Sequence, residues 1–425
     1  MKTIKLLLGV CLVAVLAGAC KRDYFDENIY REQLKQAFPV DSIDMGHDWR
    51  LTQVGKMTVT AAGEGVQRVQ ILNANPLTTA TAEIVDEAYV TEGQTVSMTY
   101  VVPKTLQEVY VGAVGADSRY CALKQVAVGE TSVDLSDAVM PLTSPKTIPA
   151  AQSFFYCFEE DYPYPGDWDF NDMVLKLSKV LYEDQVAAAT TVQLDVTLEA
   201  LGTTEQLAAA IRLAGISYDD IESVTTIKDY SFVTNKDVAR FYIEDDATLL
   251  KSRNGEAVIN LFDDGHLAFY KKLNSMGQVN RWIFNTSITS GDDVANWSGV
   301  TVSFLIKFKS EEAVRAFSLN DVDPFIVKAD NILWEIHTYR FKFDEVLIRY
   351  YDGNSQTYDD GYSWAIEIPY SNFAYPWEGN VMGQLKNTII LGAYRTRGHS
   401  FGEWLLDHEK ALDWYRYPSP GETYY

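Results

Sequence analysis

Between residues 46 and 136, apolar side chains alternate with polar ones: Met57 and Val59, Val69 and Ile71, Val96, Met98 and Tyr100, Val109 and Val111. A period of two places each set on one face of an extended strand. The runs are interrupted at Gly63-Glu64-Gly65, Asn75-Pro76 and Glu92-Gly93, residues that supply turns. Several short strands in about ninety residues predict a small immunoglobulin-like β-sandwich. Segment 137–151, with Pro141, Pro145 and Pro149, reads as a linker. Alternation resumes in 152–425, at Met173, Leu175 and Leu177, at Val192, Leu194, Val196 and Leu198, and at Val302, Phe304, Ile306 and Phe308. Helices are expected over 205–214, EQLAAAIRLA, and over 403–414. Strands and helices do not alternate regularly, so a parallel α/β sheet is not expected. The prediction is an all-β chain of two antiparallel β-sandwich domains, the second larger and jelly-roll-like, with few short helices.

The first twenty residues follow a different logic. Lys2 and Lys5 precede an almost wholly apolar run from Ile4 to Leu16, then small residues Ala17-Gly18-Ala19 and Cys20. This is the pattern of a secretory signal, too short to span a bilayer comfortably. A Cys directly after small residues resembles a bacterial lipobox, in which the signal (1–20) is cut and Cys20 receives lipid. Residues 21–45 then form a charged tether whose middle suits a short helix ending before Pro39. No later apolar stretch reaches membrane length, so the expected location is the outer membrane, anchored through lipid on Cys20. Whether the protein faces the surface or the periplasm stays open.

Charge narrows the partners. There are 59 acidic against 36 basic residues, net -23, a field that repels phosphate backbones and excludes nucleic acid. An oxidising envelope allows Cys121 and Cys157 to pair, stapling the two domains, but two unpaired buried thiols are the preferred reading.

The acidic residues are densest between Cys157 and Lys179, in FEEDYPYPGDWDFNDMVLKLS. Asp167, Asp169 and Asn171 alternate, Asp172 follows, and Glu159, Glu160 and Asp161 lie just upstream. Ca²⁺ takes six to eight oxygens at about 2.3–2.6 Å, and acceptors on alternate residues can wrap around one ion. Glu159, Asp161, Asp167, Asp169, Asn171 and Asp172 are therefore the candidate Ca²⁺ ligands. An EF-hand is excluded, because Asp172 stands where the turn glycine belongs and Ser178 where the bidentate Glu belongs. The competing reading is a metal-free loop of Asx-turns.

The same segment resembles the opening signature of the LruC-type domain, found in envelope lipoproteins of Bacteroidales-type bacteria. The matching residues are Phe158, Glu159, Asp161, Asp167, Asp169, Phe170, Asn171, Asp172 and Val174, with Glu160 or Asp161 equivalent to the family's second acid. Further likeness lies in Asp48-Trp49, in the stretch from Asn320 to Ile326, in Ala365 to Pro369, in Phe373 to Pro376, in Glu378-Gly379 and in Asp413 to Tyr415. The resemblance implies a β-rich cell-envelope protein without an assigned activity.

Other motifs weigh less. Gly398-His399-Ser400-Phe401-Gly402 fits the nucleophile-elbow formula, but too little chain follows to supply the acid and His on a parallel sheet. Nothing singles out a carboxylate pair for glycoside hydrolysis. The five histidines, His47, His266, His337, His399 and His408, show no zinc-ligand spacing. Trp364, Tyr370, Phe373, Tyr375 and Trp377 offer either a sugar-stacking platform or core packing. The function expected is a non-catalytic envelope lipoprotein with a structural calcium loop, acting in surface adhesion or assembly with a protein or glycan partner. The alternatives are a glycan-binding accessory lipoprotein and, third, a polysaccharide-acting hydrolase.

Overall fold

The computed structural model describes residues 39–40, 44, 46–141, 146–147, 149–162, 166–182, 190–227, 249–270, 275–276, 279–287, 294–328, 335–341 and 362–424. Cys20 and the helix expected in the tether lie outside them. The alternating segments form strands, and the chain is all-β. Seven come first: β1 (Thr52–Thr60), β2 (Val66–Leu72), β3 (Glu83–Tyr89), β4 (Thr95–Pro103), β5 (Glu108–Gly115), β6 (Tyr120–Ala127) and β7 (Ser132–Asp134). They make a three-stranded sheet, β4-β1-β7, and a five-stranded sheet that ends on β8 (Ala150–Ala151) in the order β6-β5-β2-β3-β8. The two enclose one core to which Met57, Val59, Met98 and Tyr100 contribute from the first sheet and Val69, Ile71, Val109 and Val111 from the second. These are the alternating apolar residues, turned inward by the pleat.

Two larger sheets follow. One has the order β13-β18-β11-β10-β9-β21, from β9 (Ser153–Phe158), β10 (Met173–Leu181), β11 (Thr191–Ala200), β13 (Ile221–Thr226), β18 (Val300–Phe308) and β21 (Ala365–Ile368). The other has the order β14-β15-β12-β19-β20, from β12 (Leu207–Ser217), β14 (Leu250–Arg253), β15 (Glu256–Phe262), β19 (Val322–Lys328) and β20 (Glu335–His337). A small parallel pair, β16 (Ile283–Phe284) with β17 (Val294–Ala295), lies beside them. In β11 Val192, Leu194, Val196 and Leu198 are buried, while Gln193, Asp195, Thr197 and Glu199 stand on the half-open opposite face. The early and late sheets are joined by polar bonds: Lys179 pairs with Asp86 at 2.5 Å and donates to the Phe317 carbonyl at 2.8 Å. Tyr89 Oη also donates to the Tyr182 carbonyl at 2.9 Å.

The helix expected over 205–214 is a strand. Leu207–Ser217 forms β12, paired antiparallel to β15 on one side and β19 on the other. Alanine and leucine favour helix only weakly, and a position between two waiting strands overrides that preference. Small side chains suit a strand buried on both faces: Ala208 and Ala210 pack with Val258, Phe325 and Val327. The helix expected over 403–414 is shorter and starts earlier, at Phe401–Leu406, with Ser400 accepting from Glu403 N as its cap. After Asp407 the chain leaves the helix, Ala411 takes a left-handed φ of 46°, and Trp414–Arg416 makes one 3₁₀ turn. That break lets Trp414 pack against Trp404, Phe401 and Tyr394. Among the described residues no helix is long and apolar enough to cross a membrane. Cys121 and Cys157 are both buried free thiols, as the preferred reading expected.

β12 also buries a cation. Arg212 Nε donates to Asp323 Oδ2 at 2.9 Å and Nη1 to Glu256 Oε2 at 2.8 Å. Asp323 in turn meets His337 Nδ1 at 2.9 Å, and Glu335 meets His337 Nε2 at 3.1 Å. Burial works against a charge on His337, but Asp323 and Glu335 outweigh it and raise its pKa. Removing one member leaves the others charged and unpaired in a dry site, which costs about 3–5 kcal/mol. Arg212→Ala should therefore lose roughly that much stability in urea unfolding; a loss under about 1 kcal/mol would show that the network is wet or dispensable.

Candidate metal centre

β9 and β10 are antiparallel neighbours with Phe158 opposite Met173, so residues 159–172 are the connection between them. The loop does not simply turn. Gly166, Trp168 and Phe170 take left-handed φ values of 57°, 66° and 56°. For a bulky side chain this conformation costs about 1–3 kcal/mol and persists only where the surroundings enforce it. Both rings are buried, Trp168 at 3% and Phe170 at 0% exposure, and Phe170 packs against Phe401. Trp168 O also accepts from Met382 N at 2.7 Å. The aromatic residues pin the loop from inside, and Asp167 and Asp169 alternate with them along the chain.

One oxygen each from Glu159, Asp167 and Asp169 lie within 4.8 Å of one another. Glu159 and Asp169 are buried, and Asp167 is open to solvent. Backbone amides hold the first two in place. Glu159 Oε1 accepts from Phe170 N at 2.7 Å, and Asp169 accepts from Asn171 N at 3.1 Å and Gly379 N at 2.7 Å. A Cβ on Gly166 would stand 2.4 Å from Glu159 Oε2, so only glycine admits the carboxylate there. No ion pair reaches Glu159 or Asp169 among the described residues; Lys328 pairs with Glu160 and lies 3.8 Å from Asp161.

The remaining predicted ligands are placed differently. Asn171 is fully buried; its Nδ2 donates to Pro376 O at 3.2 Å and its Oδ1 has no hydrogen-bond partner. Oδ1 faces Gly202, where a Cβ would come within 2.0 Å of it and 2.6 Å of Glu378 Oε2. Gly202 N closes the approach by donating to Asn171 O at 3.0 Å. Asp172 Oδ2 accepts from Glu160 N at 2.7 Å and so ties the loop to its own start. Asp161 is exposed and faces Lys328. Glu378 was not among the sequence candidates. Its backbone N donates to Thr286 O at 2.8 Å, which sets it beside Gly379, the donor to Asp169. The only earlier pointer to it was the family likeness of Glu378-Gly379; no spacing rule links it to a loop two hundred residues away.

The electrostatics are those of crowded carboxylates, of which Glu159 and Asp169 meet no cation among the described residues. Burial, then Asp172, Asp169 and Asp167, push Glu159 well above the usual range. Burial with Asp167 and Glu378 does the same to Asp169, and burial with Asp169 and Glu160 to Asp172. Partial desolvation of an otherwise exposed residue, with Asp167 nearby, carries Glu378 up to about 7. A hard divalent cation would relieve each of these costs, since its ligands are deprotonated oxygens. The donor set fits such an ion: three carboxylates converge, and a buried amide oxygen lacks a donor.

The elbow motif has no catalytic geometry. Ser400 Oγ donates to Glu403 Oε2 at 2.7 Å while capping its helix, and His399 turns away to Asp413 at 2.8 Å and stacks on Tyr417. Of the expected aromatic platform, Trp364, Phe373 and Tyr375 are buried. They belong to the packing of this end of the molecule.

Comparison with known proteins adds fold but little chemistry. Residues 188–386 match the model of a domain of unknown function, DUF4842. That stretch holds Gly202, Thr286 and Glu378, whereas the acidic loop precedes it. The crystal structure of a protein described as a putative lipoprotein from Bacteroides ovatus is similar over 85% of this chain and 99% of its own, with a TM-score of 0.50 at 14% identity. It shares the fold. The full-length major pilin SpaD from Corynebacterium diphtheriae covers 70% of this chain and 67% of its own at 9% identity, but with a TM-score of 0.13 it supports no argument. No curated protein matches the sequence.

The raised carboxyls set a pH dependence. Glu159, Asp169, Asp172 and Glu378 bind protons more tightly folded than unfolded, so metal-free stability falls as pH rises from the ordinary carboxyl range through about 7. The melting temperature in chelator should drop over that interval, and millimolar calcium should flatten the drop. A metal-free melting temperature that rises over the same interval would contradict the assignment.

Proposed function

We propose that this chain is a non-catalytic lipoprotein of the cell envelope, anchored through lipid on Cys20, in which residues 159–172 form a structural calcium site. The observation that carries the metal reading is the convergence of Glu159, Asp167 and Asp169 within 4.8 Å, beside the unpartnered, buried Asn171 Oδ1. The membrane reading rests on the Met1-to-Cys20 pattern and agrees with the shared fold of the Bacteroides ovatus protein. An ion held by Glu159, Asp167, Asp169 and Asn171, with Glu378 closing the far side, would clamp the β9–β10 connection to segments around Gly202 and Gly379. Asp161 and Asp172 then serve the loop's own frame through Lys328 and Glu160 N. A rigid, acidic, aromatic-rich body on a tether suits surface adhesion or assembly.

Metal that binds only the folded state stabilises it by about 2.7 kcal/mol at a hundred times its dissociation constant. Adding millimolar calcium to chelated protein should raise the melting temperature by several degrees. Asp169→Ala should abolish that rise while changing the melting temperature in chelator little. Equal losses with and without calcium would mean that Asp169 matters only through Gly379 N and Asn171 N. For the anchor, Cys20→Ser should release the chain from sedimented membranes and stop incorporation of labelled palmitate; continued sedimentation would remove the lipid reading.

A further inference from the structure

A groove separate from the acidic loop lies on the same six-stranded sheet that carries the loop's two ends. The outward face of the six-stranded sheet carries a cleft of about 600 Å³, lined among others by Lys176, Glu199, Trp297, Asn372, Tyr375 and Tyr424. It adjoins a polar cavity of about 380 Å³ that shares Lys176 and Glu199 and continues over Asp195 and Thr301. Together they form a groove whose floor is the outward residues of β10, β11 and β18 and whose end is aromatic.

Trp297 is the decisive residue. It is 41% exposed although it is among the largest apolar side chains of the chain. It is also held still: its backbone N donates to Asn285 Oδ1 at 2.6 Å, and its ring packs against Phe284 at 5.2 Å and stacks with Tyr270 at 6.0 Å. Asn285 takes a left-handed φ of 61°, and its Nδ2 donates to Glu199 O at 2.6 Å, so the indole is fixed to β11 itself. Across the cleft Tyr375 and Tyr424 stack at 5.6 Å. A fixed aromatic face that stays wet is a pre-organised platform for a ligand.

The polar lining selects the ligand. Asn372 is exposed and supplies both donors and an acceptor; Glu199 supplies acceptors and Lys176 donors. Vicinal hydroxyls donate and accept at once and match such a mixture. The C–H face of a pyranose ring is flat and apolar and matches the indole. Glu199 and Asp195, in a chain of net charge -23, disfavour a polyanion. We infer that this groove binds a neutral oligosaccharide, with a sugar ring stacked on Trp297 and its hydroxyls held by Asn372, Glu199 and Lys176. The groove takes no residue from the acidic loop, so the inference stands apart from the calcium reading.

The test is affinity electrophoresis of the full chain, in millimolar calcium, through gels containing neutral polymers: mixed-linkage β-glucan, arabinoxylan, galactomannan or soluble starch. Heparin serves as the polyanionic control. Retardation is expected on at least one neutral polymer. Trp297→Ala should weaken it by about tenfold or more, and Trp297→Phe should restore most of the loss. Asn372→Ala, at an exposed position, should weaken binding several-fold with an unchanged melting temperature. Migration unaffected by all four neutral polymers would overturn the inference, as would equal retardation of Trp297→Ala or stronger retention on heparin. Each of these outcomes is independent of whether calcium shifts the melting temperature.

Discussion

Like charge buried against like charge is the constraint around which this molecule is arranged. Glu159 and Asp169 sit in the protein with oxygens close to each other and to Asp167, and no ion pair reaches either one among the described residues. Such a group is tolerated only as a proton-holding cluster or as a cation cage. Several features make sense as consequences. Trp168 and Phe170 flank Asp169 in strained left-handed conformations, and Gly166 and Gly202 remove the side chains that would obstruct Glu159 and Asn171.

The five-stranded sheet handles charge in the opposite manner. There Arg212, Asp323, His337, Glu335 and Glu256 alternate in sign through direct bonds. Each carboxylate of that network meets a cation, whereas among the described residues no ion pair reaches Glu159 or Asp169, and Asn171 Oδ1 has no donor. This contrast is why the loop, and not the Arg212 network, reads as a binding site. The sheets themselves serve as rigid support. β9 and β10 carry the two ends of the loop, β11 presents Glu199 outward, and the segment of Glu378 and Gly379 links Thr286 to Asp169.

Much of this was legible along the chain. The period-two segments became strands because a pleat sorts alternate residues to opposite faces regardless of what the rest of the protein does, and Met57, Val59, Val69 and Ile71 met in one core. The oxygen-bearing residues of 159–172 were visible as candidates because Asp167, Asp169 and Asn171 alternate. The departures from local preference share one cause. EQLAAAIRLA looks helical alone, but its place between β15 and β19, and the partners of Arg212, are long-range facts. Likewise the break after Asp407 reflects where Trp414 must pack, not any signal in the intervening residues.

Local order and local chemistry were therefore set by the sequence alone: strands, turns, the apolar leader ending at Cys20, and the crowding of acids before β10. Tertiary structure decided which of those acids converge. It brought Glu378 and Gly202 to the loop, sent Asp161 to Lys328, buried Trp364 and Phe373, and left Trp297 facing solvent. The physical reason is that periodicity and turn chemistry act within a few residues, while convergence of charge and exposure of a ring depend on strand order, and strand order pairs residues that lie far apart in the chain.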